Sequence, residues 1–423
     1  MSVYILFSTS WSAQNGGINA INYDLASALN ANAQEIFAIV SDATDSDISD
    51  AARLGVQLRV ASSDYSNLHN WLPALLEDLR PSLNGECLWI GHDTITGGAA
   101  LLARNIVGGK FVLFHHMDYA NYYHLKKKNG EEKISSQKSL LKQADVVFGV
   151  GPRLFANAKR LRLSAKQTYL FEPGRPSFAI AASKEFDRRI AICGRLSASE
   201  DPVKNLSASI RAAVSSINNE GNRGALTLIG AEYGSARNII GKNLPAIAVN
   251  EISYIGNREN YFSELIDNNI VMMPSVKEGF GLVGWEALCL GIPLVLSRSC
   301  GLYEWLKANN LSEYVVSVEM TGIAPFDEMA LKGALSALIG NYKDHKSRAL
   351  ELANSSKIKT WNETAIHFAS LLSSEVPKPR EEKSDPIPVK KADKPKLGFI
   401  DKDNPDGSFE RFEDLLSISC KKR

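Results

Sequence analysis

Short apolar runs alternate with amphipathic stretches along almost the whole chain, and that alternation leaves few folds open. Residues 3–7, 35–40, 55–61, 86–91, 110–114, 145–150 and 167–171 are strand-like, rich in β-branched and aromatic side chains. Residues 20–29, 68–79, 99–106 and 153–161 carry helical periodicity between them. Strands that take turns with helices make right-handed βαβ units on a parallel sheet. The apolar runs do not alternate strictly, as expected of strands covered on both faces. Residues 172–184, with Pro173, Gly174, Arg175 and Pro176, interrupt the rhythm in the manner of an interdomain connection. It then restarts, with strands expected at 189–193, 225–230, 251–255, 269–273, 294–297 and 314–318. Helices are expected at 205–217, 257–266, 280–290, 302–308, 326–338 and 342–354, and a last one at 360–372.

The fold class is therefore α/β, with two doubly wound Rossmann-like domains facing a cleft, where ligands of such folds bind. We place the first domain at residues 1–174, a linker at 175–187, the second domain at 188–358 and a terminal helix at 359–374. A length of 423 residues suits two cores of this size. From 377 to 396, five prolines and eleven charges in twenty residues cannot bury enough apolar surface to fold, so 375–423 reads as a charged linker and disordered tail. With 48 basic against 47 acidic residues, no nucleic-acid partner is expected. No window approaches a membrane span, and no basic leader precedes the first strand, which points to the cytoplasm. Cys87, Cys193, Cys289, Cys300 and Cys420 lack metal-ligand spacing and read as free thiols.

Chemistry concentrates at strand ends. Glu278 and Glu286, with seven residues between them, bracket a turn containing Gly279 and Gly281 that opens a helix. The first amides of a helix lack intrahelical partners and attract anions, whereas a carboxylate accepts hydrogen bonds from hydroxyls. The pairing implies a ligand with both phosphates and hydroxyls, and a nucleotide sugar fits. Gly194-Arg195 and Lys204 add two cations suited to a diphosphate that gains charge as its bond to a sugar breaks. Gly16 and Gly17 follow the first strand. His115, His116 and Asp118 close another, with His92 and Asp93 after the strand before it, and either histidine of the doublet could donate to a sugar hydroxyl. Tyr254 and Ile255 end a strand in a turn able to receive a base. Asp45-Ser46-Asp47 reads as solvated loop, and no metal site is expected. Lys126, Lys127, Lys128, Lys133, Lys138 and Lys142 read as a solvated helix or lid that could also touch anionic lipid, at the inner face of a membrane.

Residues 1–373 resemble the retaining glycosyltransferases of the two-Rossmann-domain (GT-B) class, in particular the family of sucrose and sucrose-phosphate synthases and bacterial mannosyltransferases. The resemblance is carried by Pro274-Ser275 followed by Glu278-Gly-Phe-Gly-Leu-Val-Gly-Trp-Glu286-Ala-Leu, with Gly291 and Pro293. It implies that Glu286 holds the ribose, Glu278 the transferred sugar, and the amides of Phe280, Gly281, Leu282 and Val283 the phosphates. By the same resemblance Arg195 and Lys204 bind the diphosphate, Gly16 and Gly17 form the N-terminal glycine loop, and His115, or His116 by a one-residue shift, is the active-site histidine. The separation of Arg195 from Lys204 exceeds the family's, through extra residues at 197–201. The implied reaction is metal-independent and needs no cofactor beyond a nucleoside-diphosphate sugar as co-substrate. The acceptor, whether a glycan, a lipid-linked or a small molecule, and the oligomeric state are not encoded in any motif. Two other readings compete: a non-catalytic nucleotide-sugar-binding protein, which would tolerate loss of Glu278 or Arg195, and a sugar phosphorylase or epimerase on the same fold.

Overall fold

The computed structural model describes residues 2–11, 16–32, 34–61, 65, 67–162, 167–178, 180, 186–218, 224–241, 248–252 and 258–373. Among these residues, seven parallel strands and seven α-helices make the first half. In order they are β1 (Ser2–Ser10), α1 (Gly17–Ala31), β2 (Glu35–Asp42), α2 (Asp45–Arg53), β3 (Gln57–Val60), α3 (Leu68–Leu79), β4 (Glu86–His92), α4 (Asp93–Val107), β5 (Lys110–His115), α5 (Tyr119–Leu125), α6 (Glu131–Gln143), β6 (Val146–Val150), α7 (Gly151–Arg162) and β7 (Gln167–Phe171). The sheet runs β3-β2-β1-β4-β5-β6-β7. Strand order reverses between β1 and β4, so the carboxyl ends of those strands flank a crevice.

The second half repeats the plan with β8 (Arg189–Cys193), α8 (Asp201–Lys204), α9 (Leu206–Asn218), β9 (Ala225–Ile229), α10 (Ser235–Ile240), β10 (Ala248–Ile252), α11 (Arg258–Ile266), β11 (Ile270–Met273), α12 (Leu282–Cys289), β12 (Leu294–Ser297), α13 (Gly301–Ala308), β13 (Val316–Val318), α14 (Ala324–Gly340), α15 (Tyr342–Ala353) and α16 (Trp361–Ser373). Its sheet order is β10-β9-β8-β11-β12-β13, and every pairing in both sheets is parallel. This is the GT-B architecture.

Successive side chains of a strand point to opposite faces. On β1, Val3, Ile5 and Phe7 enter one core while Tyr4 and Leu6 enter another. That second core is continuous between the halves, running from Tyr4, Phe114 and Phe148 through Phe280 and Trp285 to Leu294 and Trp305. The chain crosses between halves twice, and the two crossings run side by side: Arg175 bridges to Thr360, and the Arg175 amide donates to the Lys359 carbonyl at 2.8 Å. After the second crossing α16 returns to the first sheet, where Phe368 packs on Phe148 with ring centroids 4.7 Å apart. Burying a phenylalanine of this kind contributes about 1.5–3 kcal/mol.

Three expectations change. Asp45 and Asp47 are not in a loop: they form the first turn of α2, where Thr44 Oγ1 accepts from the Asp47 amide at 3.2 Å and Asp47 Oδ2 accepts from the Thr44 amide at 2.9 Å. That reciprocal cap, with acids at the positive end of the helix, is what the Thr-x-x-Asp spacing favours. The strand expected at 251–255 is β10, Ala248–Ile252. Residues 124–142 are not simply solvated, since Gln137, Leu140 and Leu141 of α6 are buried. Tyr254, Ile255, Cys420 and the tail at 374–423 lie outside the described residues. The other four cysteines are buried free thiols.

Candidate active site

Gly281 adopts φ 103° and caps α12, so the chain turns sharply out of β11 into the helix. The first intrahelical bond runs from the Trp285 amide to the Gly281 carbonyl, which leaves the amides of Leu282, Val283 and Gly284 without helical acceptors. Glu278 stands at this turn. Its Oε2 accepts from Lys204 Nζ in a short ion pair and from Ser275 Oγ at 3.2 Å. Burial would raise its pKa, but Lys204 and the Gly279 amide prevail and hold it below the usual carboxylate value. Asn205, left-handed at φ 57°, ends α8 and donates to the buried Asp327 at 3.0 Å, which fixes the backbone behind Lys204.

Glu286, one helical turn further in, is buried, and each of its oxygens already accepts one hydrogen bond. Arg258 Nη1 donates to one oxygen at 2.7 Å and Tyr261 Oη to the other at 2.8 Å. Arg258 also reaches across to Asp24 of α1 at 2.6 Å, so one guanidinium joins carboxylates of both halves. Burial drives the Asp24 pKa up to about 6 against the pull of Arg258. A small pocket opens beside this clamp, lined in part by Ile21, Asp24, Arg258, Leu282 and Trp285. Sequence reasoning missed Arg258, Asp24 and Tyr261. One signal was available: an arginine as the first residue of a helix opposes the helix dipole, and such a placement asks for an acidic partner elsewhere.

Arg195 follows Gly194 at the end of β8, the strand next to β11. It is exposed, and no ion pair engages it among the described residues. Gly16, at φ 106°, caps α1 on the opposite wall, and Gly17 begins that helix.

The histidine doublet splits into two environments. His115 is fully buried, with Nδ1 2.9 Å from Asp93 Oδ1 and Nε2 2.9 Å from Asn157 Oδ1. Asn157 spends its amide hydrogens on Asp118 at 2.8 Å, so its oxygen must face the ring. Both ring nitrogens of His115 thus point at acceptors, an arrangement that favours the doubly protonated ring. Burial would lower its pKa, but Asp93, Asn157 and Asp118 outweigh it and raise the value, while Asp93 is held low in return. Asp93 sits at φ 41°, and its carboxylate accepts three further hydrogen bonds, from the amides of His116 at 2.7 Å and Met117 at 3.0 Å and from Gln137 Nε2 at 3.0 Å. His116 is half-buried, its Nε2 2.8 Å from Nδ1 of the buried His92. Burial pushes both of these imidazoles down to about 3.

The two walls meet closely. A Cβ at Gly279 would lie 2.6 Å from the His116 carbonyl oxygen, and one at Gly17 would lie 2.6 Å from Leu282 Cδ1. Tyr122 and Lys126 of the first half hold Glu200 of the second at 2.8 and 2.9 Å, so Lys126 is not a solvated lysine. The structure therefore gathers Gly17, His116, Lys204, Glu278, Leu282 and Glu286 about one cleft, and sets His115 behind its wall. Among the described residues, no group of three or more His, Cys, Asp or Glu is placed to hold a metal ion.

With this geometry in view, comparison with known families gives one match across most of the chain: residues 5–368 fit the profile described as family 4 glycosyltransferase in conflict systems. The chain belongs to that family. Sequence comparison with curated proteins returns no match. Among solved structures, sucrose-phosphate synthase from Thermosynechococcus elongatus is similar with a TM-score of 0.67 at 18% identity, covering 88% of this chain and 98% of that one. Anabaena Alr3699/HepE, solved in complex with UDP and glucose, gives 0.64 at 14% identity, with 88% and 99% covered. WaaG, a glycosyltransferase involved in lipopolysaccharide biosynthesis, gives 0.63 at 12%, with 88% and 100% covered. This family 4 glycosyltransferase has, among its described residues, no helix long and apolar enough to cross a membrane.

Proposed function

We propose that this family 4 glycosyltransferase moves a sugar from a nucleoside diphosphate to an acceptor hydroxyl with retention of configuration, without a metal ion. The observation that carries the reading is Arg195, an exposed guanidinium with no ion-pair partner among the described residues, at the end of the strand beside the one that leads into the bare amides of α12. A diphosphate satisfies both groups at once. Anabaena Alr3699/HepE, of like fold, was solved with UDP and glucose, which is the same ligand chemistry.

In this reading Glu286 receives the ribose hydroxyls, Glu278 the hydroxyls of the sugar, and the amides of Phe280 to Val283 the phosphates. The bond from the anomeric carbon to the diphosphate breaks, and the acceptor oxygen bonds to that carbon on the same face. The leaving phosphate oxygen takes the acceptor's proton, and Arg195 and Lys204 stabilise its growing charge. His115, with both ring nitrogens spent, acts behind the wall, so the histidine that meets the ligand is His116. Our reading therefore takes the shifted of the two ways of aligning the doublet.

A thermal-shift screen against UDP-, GDP- and ADP-sugars is expected to give stabilisation by at least one, with the shift lost in Glu286→Ala. Silence toward all of them would overturn the reading. For a sugar that binds, the product's anomeric configuration, read by NMR with EDTA present, is expected to match the donor's at an undiminished rate. An inverted product, or a rate abolished by EDTA, contradicts the mechanism.

A further inference from the structure

Behind His116 runs a chain of hydrogen bonds whose direction can be worked out from its far end. The Ser8 hydroxyl donates to the Ser10 carbonyl at 3.1 Å, which spends its only hydrogen. Asn22 Nδ2 lies 3.0 Å from that hydroxyl and must donate to it, so Asn22 Oδ1 is the atom turned toward His92. His92 Nε2, 3.0 Å from Oδ1, must then carry a hydrogen. His92 is fully buried, and burial holds it neutral, so its Nδ1 is a bare lone pair. His116 Nε2, 2.8 Å away, donates to that lone pair. Desolvation and the neighbouring His92 and His115 hold the half-buried His116 neutral as well, which leaves its Nδ1 unprotonated and without a hydrogen-bond partner among the described residues.

We propose that Asn22 and His92 are positioning residues that fix His116 as a hydrogen-bond acceptor in the cleft wall, so that this point of the site admits a hydroxyl and disfavours a group with no hydrogen to give. What the acceptor serves rests on the transferase reading above; its existence does not. A ring that can only accept discriminates more sharply than one free to choose its tautomer, because a ligand oxygen without hydrogen would face a lone pair. Its low basicity also means that His116 orients a hydroxyl without removing the proton, in keeping with a mechanism in which the leaving phosphate does so. His115, one residue away, shows the opposite arrangement, both nitrogens donating to Asp93 and Asn157.

The test is long-range proton–nitrogen correlation NMR on the full chain labelled with nitrogen-15 in histidine, with resonances assigned by single His→Gln variants. His92 and His116 are each expected to show a protonated Nε2 and an unprotonated Nδ1. A hydrogen on His116 Nδ1 overturns the inference. A second arm reverses the chain. In Asn22→Asp the carboxylate accepts from Nε2 of His92 and holds that ring doubly protonated, so His92 Nδ1 donates to His116 Nε2 and the His116 hydrogen moves to Nδ1. A merely structural Asn22 would leave the His116 tautomer as it was, and that result also overturns the inference. In a third arm UDP-glucose, GDP-mannose and ADP-glucose are added as probes. A probe that binds is expected to move the His116 Nδ1 resonance, while its nucleoside diphosphate alone does not. Binding without that movement sinks the present inference and spares the transferase reading. If no probe binds, the transferase reading fails, and the tautomers in the first two arms still decide this one.

Discussion

At the scale of single residues, the pair Asp93 and His115 sets the chemistry of the wall. Asp93 holds a backbone conformation that non-glycine residues seldom adopt, and it persists because His115, Gln137 and two amides over-determine its carboxylate. Asp93→Asn removes the counter-ion of a buried imidazolium, and we expect a loss of about 3 kcal/mol or more in urea unfolding. The pH dependence follows from the raised pKa of His115. The folded chain keeps this proton at pH values where the unfolded chain, with a value near 6.5, has released it. The associated stability is complete below 6.5 and is lost as pH climbs through the raised folded value, so unfolding free energy should fall on the alkaline side. His115→Gln should flatten that fall. Which member of the doublet is buried could not be read from neighbouring residues. It depends on partners 22 and 42 positions away, Asp93 and Asn157, that only the sheet brings together.

At the scale of elements, period and turn chemistry carried most of the information. Helix α3 and strands β7, β8 and β12 begin and end where periodicity places them. The glycine turn into α12 was legible for the same local reason: a tight bend and a helix start leave marks within a few residues. Helices α2 and α5 were not legible, since both are short and owe their form to the caps Thr44 and Asp118, and α5 also to its partner Glu200. The clamp on α11 was hidden because its carboxylates come from α1 and α12. Replacing Arg258 by alanine strands Asp24 and Glu286 without their counter-ion, and we expect about 3 kcal/mol of lost stability in chemical denaturation. Asp24 adds a signature of its own. Its folded value of about 6 lies above its ordinary 3.8, so between those values the folded chain binds a proton that the unfolded chain lacks. Stability therefore declines as pH rises across that window, and Asp24→Asn should remove the slope.

At the scale of the whole molecule, two sheets are tied by two adjacent crossings, by a shared core and by ion pairs such as Arg153 to Glu304 at 2.7 Å. That pair is partly exposed and contributes at most about 1 kcal/mol. The spacing of the halves is set by something simpler. Gly17 faces Leu282, Gly151 faces Phe280 and Gly279 faces the His116 carbonyl, so at three points one half enters space that a side chain of the other would fill. In Gly279→Ala the added methyl meets backbone, which cannot rotate away. We expect small-angle scattering to show a larger radius of gyration than wild type and sugar transfer to slow, with unfolding still cooperative. Wild-type dimensions and turnover would contradict this. The walls thus work like a latch whose clearance is a single carbon atom, and the smallest edit in the protein alphabet becomes a doorstop. A chain propped ajar in this way would offer the acceptor side of the cleft to a binding screen while leaving every charged group in it unchanged.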